Sequence, residues 1–402
     1  ESCCFGHCAE HRVPQHLSWD ASTAEFHDWS ASPFAGCIFG RRFLSANSDV
    51  RLLQFHEAGV SSASASASAS ASSSCCGNFA VVAKIVPITV AEKNRYCGPN
   101  ERKAWLCDGE LPAIEDLQNE IAVLLTLQRQ QHGCIERGPF FVQLLGSFRD
   151  DSSLFMVMEY CEGGDLLEKV NHNPNLCVSD KKRYIAQILE AVHHLHERNI
   201  GHRDVSLENV VLRGQKECVL VDFAQAVPLC GLDGTPLRYF VEAGKRIYRA
   251  PEMYVPRQQN VQVVCPSTSR PGTIAQISYD KCRCEVLLPP DAVPGRPCLA
   301  ETAGYAVAPA DVFSCGVCAF MLLVGRAPWS VTRETDPTFS FVRRHGVKML
   351  LRQWRLPGGL EEDLFLSNML QADPVKRSSI EACLRSDWIA DFVSWHFQPE
   401  TM

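Results

Sequence analysis

The spacing of apolar residues changes twice along the chain. Phe79 to Ile88 (FAVVAKIVPI) is dense in β-branched residues and predicts a strand. In Leu111 to Leu127 the apolar positions Ile114, Leu117, Ile121, Leu124 and Leu125 recur every three or four residues, which predicts a helix with one apolar face. Phe140 to Phe148 and Leu154 to Glu159 predict further strands. From Leu166 onward the period is helical, most clearly in Lys181 to Arg198. Two short apolar strands follow, Val210 to Leu212 and Cys218 to Val221, and beyond Ala308 the helical period returns. A β-rich first part and a helix-rich second part predict an α+β protein of two lobes with a cleft between them.

Three stretches interrupt this pattern. Residues 1–33 have no clear period and read as a poorly ordered extension. Residues 61–74 are a Ser/Ala tract with nothing to bury. Residues 256–308 hold Pro266, Pro271, Pro289, Pro290, Pro294 and Pro297 between the strand-like runs Asn260 to Val264, Thr273 to Ser278 and Cys284 to Leu288. They predict a small β insertion built as a pair of hairpins.

Composition narrows the class. A chain of 402 residues that is 46% hydrophobic can bury a sizeable core, as one large two-lobed domain or two modest ones. A formal net charge of −7 excludes a dedicated nucleic-acid binder. Spanning a membrane takes about 18 apolar residues in a row. The longest candidate, Val312 to Val324, is shorter and carries Ser314 and Gly316, so no membrane span is expected. The chain begins with Glu1, which suggests an incomplete N-terminus; an intracellular location is favoured and secretion stays open. Several of the 20 cysteines, Cys315, Cys318 and Cys383 among them, sit in apolar runs where Cys acts as a small hydrophobe. Cys3, Cys4, His7, Cys8 and His11 match no zinc spacing and belong to the extension.

The chemistry concentrates in one stretch. Phosphoryl transfer needs cations on the phosphates, hard oxygens for Mg²⁺ and a base at the incoming hydroxyl. His202-Arg203-Asp204-Val205-Ser206-Leu207-Glu208-Asn209, followed 13 residues after Asn209 by Asp222-Phe223, offers such groups in order. This stretch resembles the catalytic loop and metal-binding motif of eukaryotic-type protein kinases, and the resemblance extends over roughly residues 34–395. It implies a kinase fold with a β-rich N-lobe at 34–158, interrupted by the tract at 61–74, and a helical C-lobe at 159–396, interrupted by the insertion at about 256–308.

The resemblance assigns roles residue by residue. Asp204 is the catalytic aspartate, Asn209 and Asp222 are the Mg²⁺ ligands, and His202 and Phe223 pack beneath the cleft. Lys84 holds the nucleotide's α and β phosphates, with Glu120 orienting it by an ion pair. Met158, Glu159 and Cys161 form the gatekeeper and hinge that bind the adenine of ATP. Glu252, in Ala250-Pro251-Glu252, pairs with Arg377, and Asp311 braces the catalytic loop. Arg203 faces the activation segment, where a phosphate often docks. Thr235 is the candidate acceptor, and Asp233 or Glu242 is the alternative partner for Arg203.

Four positions depart from the family pattern. The glycine-rich phosphate loop is poor, and its best candidate is Ala35-Gly36-Cys37-Ile38-Phe39-Gly40, with Gly36 and Gly40 as ATP-binding residues. Ala224 replaces the glycine after Asp222-Phe223. Ser206 stands where Ser/Thr kinases carry a lysine, and Lys245 stands where they carry a threonine. The last two look reciprocal: Lys245 supplies the charge and Ser206 the hydroxyl. The resemblance therefore implies a Ser/Thr kinase moving the γ-phosphoryl of Mg-ATP to a protein substrate. The alternative is a pseudokinase scaffold, and with either the insertion at 256–308 could serve as a docking surface.

Overall fold

The computed structural model describes residues 25–43, 48–54, 80–93, 116–129, 140–173, 175–356 and 359–393. The Ser/Ala tract and the Cys3–His11 cluster lie outside the described residues, as does the first part of the Leu111 to Leu127 helix.

The N-lobe is a six-stranded sheet. Its strands are β1 (His27–Asp28), β2 (Ile38–Phe43), β3 (Asp49–Gln54), β4 (Val81–Pro87), β5 (Leu144–Arg149) and β6 (Ser153–Glu159), in the order β1-β5-β6-β4-β3-β2. The run Leu154 to Met158 is buried throughout, as its unbroken apolar sequence requires of a central strand. The short helix α1 (Ile88–Lys93) follows β4, so the predicted strand ends one residue before Ile88. Helix α2 (Leu117–Arg129) carries Ile121 and Leu124 into the core. Its N-terminus is capped by Asp116, whose carboxylate accepts from the amides of Gln118 and Asn119.

The N-terminal extension is partly built into this sheet, contrary to expectation. Residues 25–33 are ordered because Trp29 stacks on Phe155 at 4.3 Å and meets Phe148 edge-on at 5.9 Å. His27–Asp28 pairs in parallel with β5. Two aromatic contacts and a parallel bridge leave no periodic trace in sequence.

The C-lobe is helical: α3 (Leu166–His172), α4 (Val178–Glu197), α5 (Val307–Val324), α6 (Pro337–His345), α7 (Val347–Gln353), α8 (Leu360–Met369) and α9 (Ile380–Leu384). Helix α5 is long and apolar enough to cross a membrane, but most of it is buried as the central helix of this lobe. It ends at Gly325, whose φ of 81° closes the helix with a left-handed residue. Gly201 lies against the start of α5, where a Cβ would sit 2.4 Å from Val307. The described cysteines are all free thiols, and those of α5 and α9 are buried.

Residues 260–302 form their own four-stranded antiparallel sheet, β11 (Asn260–Val264), β12 (Ile274–Tyr279), β13 (Cys282–Leu287) and β14 (Pro297–Thr302). Its small core includes Val261, Val263, Ile277, Cys284, Val286 and Ala300. The order β11-β14-β13-β12 corrects the expected pair of hairpins. Only β12 and β13 form a tight hairpin, turning at Asp280 and Lys281 with φ of 45° and 60°. The last strand instead returns between β13 and β11, and α5 already begins at Val307, inside the expected boundary. Four smaller strands serve the cleft: β7 (Ile200–Gly201) pairs with β10 (Val227–Pro228), and β8 (Val210–Arg213) with β9 (Glu217–Leu220).

Candidate active site

Three elements bring charge together at the cleft. Lys84 projects from the middle of β4, Glu120 from the first turn of α2, and Asp222 follows β9. The Lys84 ammonium lies 2.7 Å from Glu120 Oε2 and 3.1 Å from Asp222 Oδ1. Burial works against the ammonium, but Asp222 and Glu120 more than offset it and keep Lys84 charged. Burial raises the Glu120 carboxyl to about 7, with Lys84 pulling it back. The other Glu120 oxygen accepts from the Phe223 amide at 3.2 Å, which ties α2 to the Asp222-Phe223 pair.

Phe223 is fully buried, 5.1 Å from the His202 ring and edge-on to Phe141 at 5.8 Å. Asp222 adopts a left-handed φ of 67°, whereas Ala224 is not among the residues with positive φ. Alanine therefore costs no backbone strain here. The carbonyl of Ala224 accepts from the Asp116 amide, and Asn119 donates to the carbonyl of Ala226 at 2.9 Å. Asn119 went unnoticed in sequence beside Glu120, because nothing in an Asn-Glu pair signals a contact 107 residues away.

The catalytic loop forms the second cluster. Asp311, at the start of α5, accepts from the amides of His202 and Arg203 at 2.8 and 2.9 Å, and contacts His196. His202 has a defined tautomer: its Nε2–H donates to the Val221 carbonyl, and Nδ1 accepts from the Asp204 amide. Burial pushes the His202 pKa down despite the opposing pull of Asp311, so the ring stays neutral. Below pH 6.5 the unfolded chain then binds a proton that folded His202 refuses, so this contribution to stability is present above pH 6.5 and is lost as pH falls. One such group gives a slope of about 1.4 kcal/mol per pH unit. Urea denaturation between pH 7.5 and 5.5 should show a steeper loss for the native chain than for His202→Tyr. Parallel pH profiles would contradict the neutral assignment.

Lys245 completes this cluster. Its amide donates to Asp204 Oδ1 at 2.9 Å. Its ammonium donates to Asp204 Oδ2 at 3.1 Å, Ser206 Oγ at 3.0 Å and Asn209 Oδ1 at 2.9 Å. Asn209 in turn donates to the carbonyl and carboxylate of Asp204 at 2.9 and 3.0 Å. Gly244 lets the segment come this close: its φ is 73°, and a Cβ there would sit 2.5 Å from the Arg203 carbonyl.

Asp222 and Asn209 offer the hard oxygens that suit Mg²⁺. Burial disfavours the Asp222 charge, but Lys84 and Lys245 hold its carboxyl below the usual range, so it is ionised. Its Oδ1 is held by Lys84 while Oδ2 has no protein partner among the described residues. The oxygen of Asn209 is engaged by Lys245, so a metal held there would compete with the ammonium for it.

The other expected residues distribute as follows. Met158 is buried at the end of β6, opposite Val82. Glu159 closes β6 and makes a two-point pair with Arg213 of β8, at 2.6 and 3.1 Å. Cys161 follows, with its thiol raised to about 12 by burial and by Glu159. Glu252 and Arg377 pair at 2.6 and 3.0 Å with both side chains fully buried.

Gly36 and Gly40 require a correction. Gly36 lies in the turn before β2 and Gly40 within β2, where a Cβ would meet the Gln54 side chain at 2.9 Å. The connection between the first two antiparallel strands is 44–47, whose sequence Leu-Ser-Ala-Asn has no glycine and which lies outside the described residues. Arg203 also differs from expectation. Neither Asp233 nor Glu242 meets it: Asp233 holds Thr235, and Glu242 holds Arg249 and Arg333. Its guanidinium instead lies over Tyr239 and Tyr305 and donates to the Val241 carbonyl at 2.9 Å.

A two-lobed fold with a lysine–glutamate pair above an aspartate-bearing catalytic loop defines the class of protein kinase domains. Residues 101–264 match the family model described as protein kinase domain. The hormonally up-regulated neu tumor-associated kinase of Homo sapiens is 27% identical over 290 residues, covering 70% of this chain and 33% of that protein. The serine/threonine-protein kinase cds1 of Schizosaccharomyces pombe is 34% identical over 185 residues, covering 46% and 38%. CBL-interacting serine/threonine-protein kinase 24 of Arabidopsis thaliana is 22% identical over 275 residues, covering 68% and 47%. Over the matched residues the chain is a protein kinase domain of the eukaryotic type, and it spans about a third of the length of the first of these relatives.

Proposed function

We propose that the chain is an active protein kinase that transfers the γ-phosphoryl of Mg-ATP to a Ser or Thr hydroxyl of a protein substrate. The observation that carries this reading is the Lys84 ammonium in contact with both Glu120 and Asp222. A scaffold has no use for a buried cation held between two carboxylates from separate elements, since burying such charges is costly. Lys84 binds the α and β phosphates. Asp204, held in one orientation by Asn209 and Lys245, accepts the hydrogen bond of the incoming hydroxyl and takes its proton. Lys245 neutralises charge on the transferred phosphoryl group, in place of a lysine at position 206. Asp222 and Asn209 would hold Mg²⁺, which when bound neutralises phosphate charge. The relatives named as serine/threonine-protein kinases support the hydroxyl specificity.

The test is Mg-ATP binding by calorimetry together with autophosphorylation, with Asp204→Asn as control. The expected result is saturable binding in both proteins and phosphate incorporation in the native chain alone. Binding without turnover would favour a scaffold. Absence of binding would remove every nucleotide-dependent reading.

A further inference from the structure

The activation segment runs from Phe223 to Ala250, and its middle is anchored to the inserted sheet. Arg238 lies 2.5 Å from Glu285 of β13, whose carboxylate is 6% exposed. The same guanidinium donates to the carbonyls of Ala303 and Gly304 at 3.1 and 2.7 Å. The next residue, Tyr239, exchanges two backbone hydrogen bonds with Tyr305, at 2.9 and 2.8 Å. Gly304 permits this approach: its φ is 67°, and a Cβ there would sit 2.5 Å from the Tyr239 carbonyl. The Tyr305 hydroxyl then donates to the Val241 carbonyl at 2.9 Å.

These contacts close over Arg203, the arginine against which a segment phosphate would dock. It is 2% exposed, and the rings of Tyr239 and Tyr305 lie 5.1 and 5.8 Å from its guanidinium. Thr235 stays at the exposed tip of the segment, with its hydroxyl donating to Asp233 at 2.8 Å. The usual polarity of the anchor is reversed: the cation is on the segment and the anion on the body. Burial raises the Glu285 carboxyl and the Arg238 charge pulls it back, so Glu285 depends on this partner to carry its charge.

We propose that the inserted sheet holds the activation segment in its ordered position through Arg238 and Glu285, so that the kinase needs no phosphate on Thr235. The proposal deepens the reading of the chain as an active kinase and rests on it. Arg238 and Glu285 are positioning residues: they touch neither nucleotide nor hydroxyl, and they set the surface on which the protein substrate lies.

The experiment compares native protein, Thr235→Ala, Arg238→Gln, Arg238→Lys and Glu285→Gln, each also treated with phosphatase. Kinetics are read with a generic protein substrate such as myelin basic protein. Hydrogen–deuterium exchange is read over residues 229–245. Thr235→Ala and phosphatase treatment are expected to leave kcat/KM within about twofold of native. Arg238→Gln and Glu285→Gln are expected to raise exchange in the segment and to lower kcat/KM by about tenfold, mainly through KM for the protein, with ATP affinity unchanged. Arg238→Lys should recover part of the loss. Inactivation by Thr235→Ala or by phosphatase overturns the proposal, as does unchanged exchange in both Arg238→Gln and Glu285→Gln. If the native chain binds ATP without turnover, the kinase reading fails by itself, and the exchange data still decide whether the sheet orders the segment.

Discussion

Replacing Lys245 by alanine should lower kcat by about a hundred- to a thousandfold, the range seen when one preorganised group facing transition-state charge is removed. The expectation follows from its three partners. The ammonium sits between Asp204, Ser206 and Asn209, each within 3.1 Å. It is the cation in contact with Asp204, the base of the proposed reaction, and position 206 holds a hydroxyl where the family pattern has an ammonium. The side chain is about one-third exposed, so its loss leaves no buried void. It uncovers the buried Asp204 carboxylate, which keeps its bonds from the Lys245 amide and Asn209, so the thermal midpoint should fall, but by less than for a fully buried pair. Two further variants separate a true exchange of roles from independent losses. Ser206→Lys places two ammonium groups together, and Lys245→Thr removes the one that contacts Asp204. The pair together, Ser206→Lys with Lys245→Thr, restores one cation and one hydroxyl. It should therefore recover activity that both single changes destroy, a coupling readable in a double-mutant cycle. Additive losses in the double variant would end this interpretation.

The second large effect concerns stability. Arg377→Ala should destabilise the C-lobe by about 3–5 kcal/mol, as expected when one partner of a buried ion pair is removed. The Arg377 guanidinium meets Glu252 at two points, donates to the carbonyls of Pro309 and Gln371 at 2.6 and 2.9 Å, and lies over the Phe313 ring at 4.9 Å. It thus binds the end of the activation segment to the start of α5 and to the loop after α8. Its removal strands a fully buried carboxylate. Arg377→Lys keeps the charge but cannot reproduce the forked geometry, so it should recover only part of the loss. Urea midpoints of the three proteins measure this directly. A change below about 1 kcal/mol for Arg377→Ala would show that the lobe does not depend on the pair.

The residues of the catalytic loop were legible because the chemistry fixes their spacing over a short stretch of chain. Asp204, Asn209 and Asp222 are set by one turn and one hairpin, β8–β9. Lys84 and Glu120 were legible because a strand and an amphipathic helix announce themselves by period. The strands of the insertion were readable by alternation, but their order was not. Pairing of β11 with β14 joins residues about 40 apart, and no local pattern encodes it. Arg203 was misjudged for the same reason, since Tyr305 reaches it from just after the last strand of the insertion. Gly36 and Gly40 were chosen because glycines were sought, and they fall before and within β2 rather than between β2 and β3. Trp29 was lost in a stretch whose order comes from two phenylalanines more than a hundred residues distant.

The packing of α5 has one more consequence. Cys315 and Cys318 are enclosed in that helix and Cys383 in α9, and burial suppresses their thiolates, with Cys383 raised to about 12. Alkylating reagents attack the thiolate, so these sulfurs stay silent while the lobe is closed and become reactive only when it opens. Cys161, likewise raised to about 12, occupies the joint between the lobes. The protein thus carries its own reporters of local unfolding. Mass spectrometry after pulsed labelling would time the opening of the hinge and of the helical core separately, without any added probe.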